Sequence, residues 1–206
     1  MDFLNALILL LNYIFVPALA YGSQLAIGAI FVTLIYGILR FANFATGDMM
    51  SFGTMVAILF TWYFQSLGLS LGFLPTALLA IPFAILFMGL YMLIIDKFVF
   101  KYYRLNKSPP VQLAMVSIGV MFVTQAVVRI IIGPSDRRFF DGEKFLIKAN
   151  EFKEMTGLNE GLAIKSTQVI TIVVTIILVS TLFWFLNKKK TGKSMRAYSD
   201  NEDLAL

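Results

Sequence analysis

The 206-residue chain has no cysteine and no histidine. The first absence excludes disulfides and thiolate chemistry. The second leaves carboxylates as the only conventional metal ligands, so the composition argues against histidine-metal and haem-type redox enzymes and no metal site is expected. Charge is also scarce: Asp, Glu, Lys and Arg make up 14% of the residues, where a soluble domain carries about 25%. Apolar residues fill the deficit at 59%, and they fall in runs of about 20, the length that crosses a bilayer as a helix. A net charge of +5 would suggest nucleic acid for a soluble protein. Here the cations flank apolar runs, where the positive-inside bias accounts for them, so the expected partner is lipid and not nucleic acid. The start, MDFLNALILL, has no basic n-region or small-residue cleavage site and reads as a retained span. The fold class is all-α: a polytopic transmembrane bundle, with residues 1–206 forming a single membrane domain.

Six hydrophobic segments can be counted. Phe3–Ala20 and Tyr21–Leu39 read as a hairpin broken near Pro17–Ser23 by Pro and Gly. Met49–Leu67 follows and ends in the aromatic cluster Trp62, Tyr63 and Phe64, which suits a membrane interface. Phe73–Ile95, Val111–Ile132 and Thr167–Leu186 complete the set. Between them lie a basic loop, Asp96–Pro110, and a longer polar loop, Gly133–Lys165. Alternation places ten Lys/Arg on the side of the tail and six on the other, where six acids balance them. With an even number of spans, the N-terminus is expected inside, with the tail.

Tyr36–Gly53 is the stretch the rest is organised around. One apolar helix reaches Gly37 and passes Arg40, then a polar break near Asn43–Asp48 precedes a second helix. In hydrocarbon such a break persists only at a surface, inside protein or beside water. A helix starting near Thr46 would offer free N–H groups and the positive end of its dipole to an anion, with Asp48 competing for that place. The plain alternative is a cytoplasmic turn with Thr46 or Asp48 as N-cap and Arg40 at the headgroups.

Further along, Ser117 and Thr124 share a helix face, with Gln125 and Arg129 on its flank. Such polar groups serve either as interhelical hydrogen bonds or as part of a solute path. The small pairs Gly22/Ala26, Gly53/Ala57 and Ala80/Ala84 permit close helix approach. Gly192-Lys193-Ser194 ends like a phosphate-binding loop, but that motif needs glycine at position 187, which is Asn187, and a preceding strand. No nucleotide site is expected. In the tail, Asp200 is a plausible N-cap, with Glu202 and Asp203 in a first turn and Leu204–Leu206 opening an apolar face. That segment is either surface-lying, a docking element, or a frayed end.

Taken in order, these stretches resemble the permease subunit of bacterial ABC importers for branched-chain amino acids. Thr33-Leu34-Ile35-Tyr36-Gly37 followed by Asn43-Phe44-Ala45-Thr46-Gly47-Asp48 is similar to that family's signature, in which Thr46 is usually His. Gly22-Ser23 matches the approach to it. Ser117-Ile118-Gly119, Gln125 and Gly133-Pro134 are similar to a later span and its outer end. Gly192, Met195, Arg196 and Ala197, with Asp200-Asn201 after them, resemble the cytoplasmic coupling loop, which would begin within 188–206. The resemblance implies a substrate path with Thr33, Tyr36, Asn43, Thr46, Gly47, Asp48, Ser117 and Gln125. It implies ATPase coupling through Gly192, Met195, Arg196, Ala197 and Asp200. The implied partners are separate ATPase subunits that bind the ATP, a second and homologous permease subunit (a heterodimer), and a periplasmic binding protein; the location is the bacterial inner membrane. The chain itself is expected to be no enzyme and to hold no cofactor. Leu25 and Phe31 stand where the family usually has Tyr and Gly, and the sequence stops at Leu206 where family members continue, so a truncated permease is expected.

Three other readings compete. A urea or short-amide permease of the same superfamily would look much alike. An intramembrane enzyme needs facing polar catalytic groups at depth, and the spans offer only Asp48 and, at a span end, Asp96. A non-transporting membrane scaffold would not need the tail for an ATPase.

Overall fold

The computed structural model describes residues 2–72, 74–139 and 144–200; the side chains of Asp2, Tyr198 and Asp200 are outside that description. Phe73, expected to open the fourth span, and Asn201–Leu206 of the tail lie outside the described residues. The chain divides into two compact units, Met1–Ile38 with Gly142–Leu206, and Leu39–Asp141.

In the first unit, α1 (Asp2–Leu10) runs through a π-turn, Leu11–Phe15, straight into α2 (Val16–Leu39). The expected hairpin at Pro17–Ser23 is absent: Phe3–Leu39 is one apolar helix. Pro17 lacks an N–H, and its ring crowds the carbonyl four residues back, at Tyr13. That residue sits in the π-turn, whose wider register takes up the crowding without ending the helix. With no water to solvate a broken backbone, a local adjustment is cheaper than a break. Two of the six predicted spans therefore merge. Four described helices are long and apolar enough to cross a membrane: Phe3–Leu39, Ala77–Leu105, Pro110–Ile132 and Ser166–Lys188.

The last of these, α8 (Ser166–Lys188), runs parallel to α2. Asn12 Oδ1 accepts the N–H of Ala163 at 3.2 Å, just before α8 begins. Farther along, Ile27, Ile30, Phe31 and Leu34 share an apolar cleft with Leu178, Val179 and Leu182. The N-terminal end of the long helix thus lies beside the segment that leads into α8, at the end of α8 away from α9. The Gly133–Lys165 loop is more ordered than expected. It holds α7 (Ala149–Thr156) between two short antiparallel strands, β1 (Phe145–Ile147) and β2 (Ile164–Lys165). Gly161 makes the return tight, because a Cβ there would meet the Ala149 carbonyl.

The second unit is a bundle of α3 (Thr46–Ser66), α4 (Ala77–Ile95) and α6 (Pro110–Ile132). Helices α3 and α4 are antiparallel over their length: Phe52 stacks on Tyr91 at 4.1 Å between centroids and Phe60 on Phe83 at 4.8 Å. Between those layers a Cβ on Gly53 would lie 2.9 Å from Met88 Sδ. Gly53 and the buried Ala80 act as the small residues that the spacing predicts. At Gly22 no neighbour approaches within 4 Å of a built Cβ. Although α3 is the least apolar of these helices, it lies along α4.

The basic loop expected after Ile95 is instead helix. A π-turn at Asp96–Phe100 carries α4 into α5 (Lys101–Leu105). In an α-helix, residues eight apart diverge by about 80°, and one extra residue in a π-turn brings them nearly into line. Asp96 and Arg104 use this alignment: the guanidinium grips the carboxylate with two bonds, of 2.6 and 2.8 Å.

Candidate functional site

The break occupies residues 40–45 of the second unit and is packed into it. Phe41, Ala45 and Met49 are buried in a cluster with Ile95, Phe100, Leu113 and Val120. The neighbouring helices extend past it, one to Leu105 and the other starting at Pro110. Ser117, which touches the break, lies about 10 Å into its helix at 1.5 Å per residue. The break is therefore recessed from the end of the bundle.

Its backbone is satisfied locally and by α6. Arg40 reverses the chain with φ +57°. The Phe44 N–H donates to Ser117 Oγ at 3.0 Å, and the Ser117 hydroxyl donates to the Ala114 carbonyl at 2.7 Å. Asn43 Oδ1 accepts the Ala45 N–H at 3.1 Å. The Thr46 hydroxyl donates to the Asn43 carbonyl at 2.8 Å. Helix α3 begins at Thr46, as expected, but its N-cap is Ala45, which makes no side-chain cap. Neither Thr46 nor Asp48 caps it, because Thr46 turns its hydroxyl back into the break. Asp48 sits in the first turn, where a carboxylate favours the dipole.

Asn43, Thr46 and Ser117 thus hold the break together through its own backbone. Gly47 is exposed beside them, Asp48 half-buried, and Gln125 half-buried farther along α6. Thr124, buried on the Ser117 face, bonds the Val120 carbonyl at 2.8 Å and the Tyr91 hydroxyl at 2.9 Å. For Ser117 and Thr124 the structure realises the interhelical reading. Nothing in the sequence pointed to Tyr91 as the partner.

Thr33 and Tyr36 belong to the first unit. Thr33 spends its hydroxyl on the Ala29 and Ile30 carbonyls of its own helix, and Tyr36 is largely exposed. Thr33 lines a cleft of about 170 Å³ with Gly37, Leu186, Met195, Arg196 and Ser199. It is thereby brought beside the coupling residues. These sit on α9 (Lys190–Asp200), which folds back against α8 after an extended Lys189. A Cβ on Gly192 would meet the Phe185 carbonyl and lie 2.8 Å from Leu186 Cα, so only glycine fits there. Arg196 donates to Asn187 Oδ1 at 2.5 Å, while Ala197 is exposed. The tail helix was expected to start at Asp200; α9 begins at Lys190 and already includes Asp200, and the segment expected to follow lies outside the described residues. Lys, Ser, Met, Arg and Ala are all compatible with helix, and the Lys189 corner lets it begin ten residues earlier.

Sequence reasoning passed over a cleft of about 440 Å³ between α3 and the corner after α6, lined by Met50, Ser51, Thr54, Met55, Ile58 and Val128, with Ile132–Gly133 and Ser135–Arg137. Its charged members, Asp136 and Arg137, had been counted only as balancing loop charges. Beyond it, Trp62 Nε1 and Gln65 Nε2 donate to the Arg138 and Phe139 carbonyls at 3.0 and 2.9 Å. Among the described residues no cluster of acidic side chains could hold a metal.

The four long apolar helices make this a multi-pass helical membrane protein, and its helix break is recessed and fastened by neighbouring side chains. The family model described as branched-chain amino acid transport system / permease component matches residues 14–206. The chain belongs to that family of permease components. Searches of curated proteins and of solved structures each found no match.

Proposed function

We propose that this chain is the membrane-spanning permease of an ABC importer for branched-chain amino acids, working by alternating access while separate ATPase subunits burn the fuel. Family membership carries this reading, and the recessed break supports it: irregular backbone at depth is tolerated where it is buried in protein or lines a cavity. ATP is bound by the partner ATPases; the permease is no enzyme and holds no cofactor. The partners are those ATPases, a second homologous permease subunit and a periplasmic binding protein.

Sidedness follows from charge. In the second unit Arg40, Lys97, Lys101, Arg104 and Lys107 gather at the end holding the break, and in the first unit Lys188–Lys190, Lys193 and Arg196 gather at the tail. Both of these ends face the cytoplasm of a bacterial inner membrane. The N-terminus then faces out, since the long helix runs parallel to α8. Helix α9 presents Met195 and Ala197 at the cytoplasmic surface for the ATPase, and Gly192 sets its angle.

Reconstitution with the ATPases and binding protein tests the transport reading. ATPase activity stimulated by leucine supports it, and stimulation by urea without leucine overturns it in favour of the amide permease. Sidedness is read from single cysteines, since the chain has none of its own. Phe3→Cys should react with an impermeant maleimide from outside, and Lys193→Cys only after permeabilisation. Labelling of both from one side overturns the orientation.

A further inference from the structure

The cleft between α3 and the corner after α6 carries two opposite charges that the fold leaves unspent. Asp136 and Arg137 are neighbours, yet neither forms an ion pair among the described residues. Arg137 is held in place from behind: its Nε donates to the Ile132 carbonyl at 3.0 Å, and a Cβ on Gly133 would stand 3.2 Å from its Nη2. Gly133 has φ +89°, a conformation open to glycine, and this lets the corner turn under the guanidinium. The α3 hydroxyls in the cleft are already used, Ser51 on the Gly47 carbonyl and Thr54 on the Met50 carbonyl. What lines the space besides is one exposed anion, one exposed cation, Ser135 and the apolar wall of Met55, Ile58 and Val128. The volume falls in the ~300–1,000 Å³ range of small-molecule sites.

We propose that this cleft holds a zwitterionic aliphatic amino acid, with its α-carboxylate on Arg137, its α-ammonium on Asp136 and its side chain against Met55, Ile58 and Val128. Guanidinium and carboxylate make charge-assisted bonds with the two ends, and a ligand lacking one end leaves one protein charge unmatched. The inference rests on the amino-acid reading above and adds the place and the groups.

The test uses the complete reconstituted complex carrying Ser51→Cys, with Thr54→Cys as a second reporter should the first not assemble. The rate of alkylation by a maleimide is followed as leucine is titrated. At ten times its dissociation constant leucine should slow labelling ~10-fold by simple occupancy. 4-Methylpentanoate, which lacks the ammonium, and 3-methylbutylamine, which lacks the carboxylate, should protect little at equal concentration. Adding Asp136→Asn or Arg137→Gln should abolish protection by leucine. Absence of protection by leucine, or protection that survives both substitutions, overturns the proposal. Leucine uptake measured on the same vesicles separates the two readings. Uptake without protection refutes only this site, whereas uptake of urea and not leucine refutes the importer reading and this one with it.

Discussion

Replacing Ser117 with Ala removes one oxygen and addresses the anchoring of the break directly. In the native chain that oxygen accepts the Phe44 N–H at 3.0 Å. Its own hydrogen goes to the Ala114 carbonyl, which as a helical carbonyl keeps its backbone role when the hydroxyl is gone. The loss therefore falls on the Phe44 amide. Losing the partner of a part-buried donor costs about 0.5–1.5 kcal/mol, equivalent to a roughly 2- to 13-fold rise in the population with the break open. Hydrogen exchange followed by mass spectrometry on a peptide spanning residues 39–49 reads this as faster exchange of the Phe44 amide by a similar factor. The α3–α4 aromatic layers should exchange as before. Thr171→Ala is the control, since its hydroxyl bonds only the Thr167 carbonyl of its own helix. Unchanged Phe44 exchange in a folded Ser117→Ala protein would refute the claim that α6 fastens the break.

Gly192→Ala pushes a methyl into the Phe185 carbonyl, and overpacking of this kind costs about 1–3 kcal/mol; trypsin should cut between Lys188 and Lys193 faster than in the native chain, and an unchanged rate would mean α9 does not need the close approach. Gly53→Val should lower the unfolding temperature in detergent by more than Gly53→Ala, because the first obstacle is the flexible end of Met88, and Met88→Ala should recover part of the loss. Tyr91→Phe removes one bond to a Thr124 hydroxyl that keeps the Val120 carbonyl, so the expected loss is small, about 0.6 kcal/mol, and a much larger loss would assign Tyr91 another role.

How much could be read without coordinates depended on how local the deciding physics was. Apolar run length and scarce charge are properties of single segments, so the all-α membrane class was plain from composition. The starts of α3, α6 and α8 were legible for the same reason, within a residue or a turn. The shared face of Ser117 and Thr124 also followed from helix periodicity. Pro17 misled, because a proline's effect depends on what the surrounding medium makes the alternative cost. In hydrocarbon a widened turn is cheaper than an open backbone, so two spans became one.

Other features exist only through pairings between distant residues. Ser117 meets Phe44 across 73 positions and Tyr91 meets Thr124 across 33, and no local pattern announces either. Asp136 and Arg137 look like any charged pair in a polar loop until Gly133 turns them over an apolar wall. The membrane class was written into the order of apolar and polar residues, since burial in lipid acts on each segment alone. Which polar groups hold the break, and which form no ion pair among the described residues, was decided by tertiary packing, since a hydrogen bond is settled by what lies within about 3 Å.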